Sequence, residues 1–186
     1  MMDVAAELNG PVDLIALCAA GGPLCAAWIY TPIGGMVAVT GADGLHLLEF
    51  ARVARLRAAF ARLPGIAAGK TALSHALQDQ LVDYFAGRRR AFDMPLVRPR
   101  ATPFTAQVWD AVQAVPYATT TSYGAIARSI GAPRAARAVG GANGANPVAI
   151  LVPCHRITGP DGALTGYAGG LWRKEWLLAH EARGLR

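Results

Sequence analysis

The stretch Asn146-Pro147-Val148-Ala149-Ile150-Leu151-Val152-Pro153-Cys154-His155-Arg156-Ile157 constrains the fold more than any other part of the chain. An apolar run rich in β-branched residues predicts a buried strand, and it delivers a cysteine, a histidine and an arginine together at its end, just after a proline. A thiol with a pKa of about 8.5 reacts as its thiolate, so at neutral pH it needs a base or a positive field. His155 is the base at hand. Adjacent side chains of an extended segment point to opposite faces, which makes a bridging water the expected link between Cys154 and His155. From the pair alone two readings stand level: an activated nucleophile, or an inert core thiol beside a histidine that caps a loop.

The chain of 186 residues is long enough for one ordinary domain or two small ones, and 53% hydrophobic content excludes a disordered protein. The formal charge of +6 is carried mainly by arginine, including Arg52, Arg55, Arg57, Arg62, Arg88, Arg89 and Arg90. Such a balance suits a polyanion such as nucleic acid, or a soluble basic surface. Cys18, Cys25 and Cys154 are an odd count without zinc-type spacing, which implies a reduced, cytoplasmic protein and no metal. The apolar segment Leu14 to Ile29 lacks a basic flank, is shorter than a membrane span needs and is interrupted by Gly21-Gly22-Pro23. It is expected to be neither signal peptide nor membrane helix.

Residues 1 to about 28 are alanine-rich and open to several conformations. Beyond them, Thr31-Pro32-Ile33-Gly34-Gly35 predicts a turn, Met36 to Thr40 a strand, Gly41-Ala42-Asp43-Gly44 a hairpin turn and Leu45 to Phe50 its partner strand. Leu56, Phe60 and Leu63 mark one packing helix, and Leu73 to Phe85 another that Gly87 would stop. The triple arginine after it reads as a solvated charge run, and His46 and His75 as structural or surface residues. Closely spaced prolines make Arg98 to Phe104 the natural linker. An amphipathic helix follows, through Phe104, Val108, Trp109, Val112 and Val115.

Thr121-Ser122 can cap a helix from about Tyr123 to Ile130, Gly131-Ala132-Pro133 turns the chain, and a second helix is expected from Pro133 through Val139. This is a helix-turn-helix. Its second helix is dominated by small residues and has no amide side chain for bidentate contacts to adenine, so it is poorly suited to reading sequence in the major groove. Small residues instead permit close approach to the minor groove, where binding is largely independent of sequence.

Val152-Pro153-Cys154-His155-Arg156-Ile157, preceded by Arg137-Ala138-Val139-Gly140-Gly141 and Asn146-Pro147, and followed by Gly166-Tyr167-Ala168-Gly169-Gly170 and Lys174 to Glu181, carries a further signal. Over roughly Thr102 to Glu181 it resembles the signature of the O6-alkylguanine-DNA alkyltransferases, also called methylated-DNA--protein-cysteine methyltransferases. Thr31-Pro32-Ile33-Gly34 with its hairpin is similar to the start of the family's N-terminal domain, and Asp83 to Arg90 to that domain's end in bacterial members.

The resemblance implies an α+β protein: an α/β domain with a ribonuclease H-like motif over residues 1–98, unmatched over 1–28, and a winged helix-turn-helix-like alkyltransferase domain over 99–186. It implies direct reversal of DNA damage. An O6-alkylguanine, or O4-methylthymine, is flipped from double-stranded DNA bound through the minor groove, and its alkyl group passes irreversibly to Cys154. One molecule then repairs one lesion, without a cofactor, as a monomer that could bind DNA cooperatively.

By the same resemblance His155 is the water-mediated base, Glu181 orients it, Tyr123 supports the leaving guanine and Asn146 fixes the turn before Cys154. Glu181 falls three and four residues beyond Leu178 and Leu177, a spacing that turns it toward the packed face. Arg137 is the finger that fills the vacated stack, with Arg134, Ala135, Ala136, Ala138 and Gly140 along the DNA, while Arg156 braces the fold. Ile157, Tyr167, Ala168 and Gly169 wall the base pocket. Ala118 stands where the family often has glycine. The alternative is a damage-sensing DNA-binding protein that flips the base without reacting.

Overall fold

The turn at residues 41–44 is where the first sheet folds back on itself, and Gly44 takes a φ of 140° that L side chains rarely adopt. The computed structural model describes residues 7–18, 21–98 and 101–184, in two compact units, Met1–Val97 and Arg98–Arg186. Residues 1–6, 19 and 20 of the expected extension, and Pro99 and Arg100 of the expected linker, lie outside the described residues. No described helix is long and apolar enough to cross a membrane.

The first unit runs α1 (Pro11–Leu17), β1 (Leu24–Ile29), β2 (Met36–Gly41), β3 (Gly44–Phe50), α2 (Val53–Phe60), β4 (Ile66–Ala68) and α3 (Ala72–Phe85). The sheet order is β3-β2-β1-β4, antiparallel except for the parallel β1–β4 pair. Leu24, Ala26 and Trp28 of β1, with Val37, Val39 and Leu47, bury one face against Leu14 of α1 and Leu56 of α2. Helix α3 begins at a capping box, in which Thr71 and Ser74 exchange side-chain and backbone bonds, and buries Leu77, Leu81 and Tyr84. Gly87, at φ 75°, ends the chain's path past α3.

Two strands of this unit are not singled out in the sequence, which leaves residues 1–28 open to a helix or a strand. Residues 24–29, mostly placed in the unmatched extension, form the inner strand β1, and β4 is only three residues long. Both depend on contact at a distance. Gly22 lies so close to Gly65 that a Cβ there would fall 1.8 Å from the Gly65 carbonyl oxygen.

The second unit holds α4 (Pro103–Gln113), β5 (Thr121–Ser122), α5 (Tyr123–Ser129), α6 (Ala136–Gly144), β6 (Ile157–Thr158) and α7 (Leu171–Arg183). Thr102 caps α4 through the Thr105 N–H, and Ser122 caps α5 through the Ala125 N–H, as their sequence positions suggest. Short strands β5 and β6 pair in parallel. Together the two units make an α+β chain.

Two expectations for this unit are corrected. Helix α6 begins at Ala136, not at Pro133, because residues 132–135 close a turn in which the Ala135 N–H donates to the Ala132 carbonyl at 2.9 Å. The apolar run before Cys154 is buried but is no strand. Asn146 Nδ2 donates to the carbonyls of Val148 (3.3 Å) and Val152 (2.9 Å), and its Oδ1 accepts from the Val148 N–H at 3.0 Å. The run therefore curls around one amide side chain, with an isolated bridge between Ala149 and Val152 and Ile150 at φ 72°. A β-branched residue in that region is strained, and the curl holds it there.

Candidate active site

The curl ends in a 3-10 turn over Cys154–Arg156, so Cys154 and His155 are not neighbours on an extended strand. All three of its side chains are buried, His155 completely. From α7, whose inward face also carries Leu177, Glu181 reaches into the same interior with no exposed surface. Its carboxylate is filled. Oε1 accepts from His155 Nε2 (2.9 Å) and Arg156 Nη2 (2.9 Å), and Oε2 from Arg156 Nε (3.0 Å) and the Ala118 N–H (3.0 Å). Arg156 also donates through Nη1 to the Val115 carbonyl at 2.6 Å and lies over the Tyr117 ring.

The electrostatics follow from this packing. Burial works against ionising Glu181, yet the hydrogen bonds and charges of His155 and Arg156 outweigh it and hold the carboxyl well below the usual carboxylate range. An ionised carboxylate only accepts, so His155 carries its proton on Nε2 and presents a lone pair at Nδ1. Burial pushes the imidazole pKa down, against the pull of Glu181, which keeps it neutral and able to accept a proton. Nδ1 is buried without a hydrogen-bond partner among the described residues.

Lys174, which sequence reasoning quoted in a motif but gave no role, is fully buried one turn into α7. Its Nζ donates to the carbonyls of Ile157 (2.5 Å) and Thr165 (3.1 Å), tying β6 to the loop before α7. Desolvation pushes its pKa down, while the charge of a Cys154 thiolate pulls it back up. Its signal in the sequence was position: Lys174, Leu177 and Glu181 share one helix face.

Of the expected pocket residues, Ile157 is tied to this centre by the bond its carbonyl accepts from Lys174 Nζ. Ile157 is buried, Tyr167 and Ala168 are half-buried, and Gly169 is buried with its carbonyl accepting from Arg173 Nη1 at 2.7 Å. Tyr123 starts α5, lies against Gly140 of α6, and accepts a hydrogen bond from Thr165 Oγ1 at 3.3 Å. Along the expected DNA face, Arg134 sits in the turn before α6, Arg137 and Ala138 are exposed on the helix, and Ala135, Ala136 and Gly140 are half-buried. Among the described residues no cluster of His, Cys, Asp and Glu has the makings of a metal site.

Residues 103–183 match the family model described as 6-O-methylguanine DNA methyltransferase, DNA binding domain. A methylated-DNA--protein-cysteine methyltransferase of Salmonella typhimurium is 54% identical over 105 residues, which are 56% of this chain and 61% of that protein. The chain thus matches less than two thirds of that relative's length. Over the whole fold it is similar to the crystal structure of Mycobacterium tuberculosis O6-methylguanine methyltransferase, with a TM-score of 0.74, 40% identity and coverage of 86% of this chain and 93% of that one. The Mycobacterium tuberculosis OGT crystallised in complex with DNA gives a TM-score of 0.75 at 41% identity, covering 86% and 94%. With solved relatives at this identity followed along nearly their full length, the chain belongs to the O6-alkylguanine-DNA alkyltransferase (methylated-DNA--protein-cysteine methyltransferase) family.

Proposed function

We propose that this protein repairs DNA by direct reversal, transferring the alkyl group of O6-alkylguanine irreversibly to Cys154, once per molecule. The observation that carries the reading is the buried line from Glu181 through His155, which leaves the imidazole one residue after the cysteine neutral, with no partner for its Nδ1 lone pair among the described residues. A water between Sγ and Nδ1 relays the thiol proton to His155. The thiolate attacks the alkyl carbon, the carbon–O6 bond breaks, and its electron pair goes to the purine, which takes up a proton. Lys174 stabilises the thiolate beforehand and, by holding two carbonyls, shapes the pocket. Tyr123 accepts from Thr165, so its own hydroxyl proton is left to support the departing guanine. The thioether has no leaving group, and nothing in the site regenerates the thiol.

The DNA is a double strand with O6-methylguanine, or O4-methylthymine as a second substrate, approached through the minor groove by α5, its turn and α6. Exposed Arg137 fills the vacated stack, and Arg134 and the small residues of α6 meet the backbone. The protein acts as a monomer in the cytoplasm, and the domains divide as residues 1–98 and 99–186.

The test is the intact-protein mass after incubation with duplex DNA containing O6-methylguanine, beside Cys154→Ser. One methyl added stoichiometrically and mapped to Cys154, absent in the variant, supports the reading. Tight lesion binding with no added mass would make the protein a damage sensor. Arg137→Ala is expected to slow repair of duplex at least tenfold more than reaction with free O6-benzylguanine, a gap of about 1.4 kcal/mol. Equal losses on both substrates would remove the finger role.

A further inference from the structure

Two asparagines flank the turn into the cysteine, and their bonding differs. Asn146 uses both ends of its amide on backbone groups of the curl. Asn143, on the inward face of α6 one turn after Val139, is 6% exposed and uses only one. Its Nδ2 donates to the backbone carbonyl of Cys154 itself at 3.2 Å. That bond fixes which end of the amide is which, since a carbonyl can only accept. Its Oδ1 is buried with no hydrogen-bond partner among the described residues.

Helix α6 therefore does carry an amide, pointed not at base edges but at the cysteine. A buried acceptor without a donor is destabilising, and a leucine would fill similar space without that loss. The neighbouring apolar positions of the same face, Val139 and Ala142, show what a merely structural position holds. What distinguishes Asn143 is a carbonyl oxygen kept short of a donor and anchored to the residue whose sulfur receives the alkyl group.

We propose that Asn143 determines which O6 substituents are accepted, its Oδ1 taking a hydrogen bond from a donor on the alkyl group, so that hydroxyalkyl adducts react in preference to apolar chains of the same size. This rests on the alkyl-transfer reading above. The chemistry of transfer is unaltered: sulfur bonds to the first carbon of the substituent, the carbon–O6 bond breaks with its pair going to the purine, and the hydroxyl is carried along unchanged in the thioether.

The experiment compares single-turnover transfer from duplexes carrying O6-(2-hydroxyethyl)guanine, O6-propylguanine and O6-methylguanine, for the natural protein and Asn143→Leu. The ratio of hydroxyethyl to propyl rates is expected to fall about fivefold in the variant, the size of one net hydrogen bond. Division by the variant's own propyl rate cancels both intrinsic reactivity and any general damage to the site. An unchanged ratio, with methyl transfer intact, would overturn the inference and leave the alkyl-transfer reading standing. Absence of transfer from all three duplexes to the natural protein would overturn both. Should Asn143→Leu fail to fold, Cys154→Ser with Asn143 in place serves as a binding probe. It is expected to hold the hydroxyethyl duplex several-fold tighter than the propyl one, and equal affinities would overturn the proposal.

Discussion

In the first unit the buried carboxylate of Glu49, on β3, accepts from the N–H of its neighbour Phe50 at 3.0 Å and pairs with an arginine that is itself a third exposed: Arg55 lies 2.6 Å away with 34% of its side chain accessible. In the second, Glu181 lies where no water reaches and holds a histidine, an arginine and a backbone amide at once. Burial dominates at Glu49 and raises its pKa against the pull of Arg55. At Glu181 burial is overcome and the pKa is lowered. The first unit is stabilised by an apolar sheet that tolerates the Glu49–Arg55 pair at little gain. The second is organised around charges whose value lies in where they hold the cysteine's surroundings.

The largest break in that contrast is expected from Glu181→Ala. It strands the Arg156 guanidinium and frees His155 to rotate, and should cost about 3–5 kcal/mol of stability in urea unfolding, along with alkyl transfer. Glu49→Gln, removing a pair with a partly exposed member, should cost about 1 kcal/mol and leave transfer untouched. Comparable losses from the two would erase the distinction. Lys174→Met tests the buried cation within the second unit. It leaves the Ile157 and Thr165 carbonyls without their donor, and should cost about 1–3 kcal/mol of stability while slowing transfer about tenfold or more. The rate-versus-pH profile should also move to higher pH, since thiolate formation loses its cation.

Acid should sharpen the comparison further. His155, held below its ordinary 6.5, is uncharged in the fold while the unfolded chain takes up a proton, so stability is lost as pH falls below about 6.5. Glu181, held below its ordinary 4.5, contributes stability that is full above that value and disappears as pH falls through the folded-state range. Glu49 has the opposite sign: its raised pKa contributes stability below 4.5 that is lost as pH rises through the folded value. Hydrogen exchange between pH 7 and pH 4 should therefore show peptides around Cys154 and α7 losing protection while those of β2 and β3 keep theirs. The smallest effect is expected at Ala118, whose φ of 58° suits glycine. Ala118→Gly relieves that strain but loosens the unfolded chain, for a net gain of about 0.5 kcal/mol visible as a small rise in Tm.

Local chemistry made much of this legible beforehand. The hairpin of β2 and β3, the helices α3 and α4, and the Ser122 cap of α5 each follow from residues within one turn or one strand of each other. Family resemblance brought Cys154, His155 and Glu181 together, and the three-to-four spacing on α7 placed Glu181 inward. Less legible were the features that need a distant partner. Strand β4 has three residues, too few for any periodicity, and β1 was hidden in an alanine-rich stretch that its pairing with β2 and β4 defines as a strand. Pro133 looked like a helix start because proline suits that position, yet the turn at residues 132–135 displaced the start to Ala136.

By itself, then, the sequence determined the chemistry that could occur: a thiol beside an imidazole, a carboxylate on an apolar helix face, and a helix too plain to read bases. Tertiary structure decided how those groups are set. Only in the fold does Asn146 curl the apolar run into a turn, Arg156 join His155 on one carboxylate, Lys174 reach the carbonyls of Ile157 and Thr165, and Asn143 turn its amide toward Cys154. The reason is physical: proton affinity and hydrogen-bond satisfaction depend on burial and on partners far away in the chain, and neither exists until the core has closed.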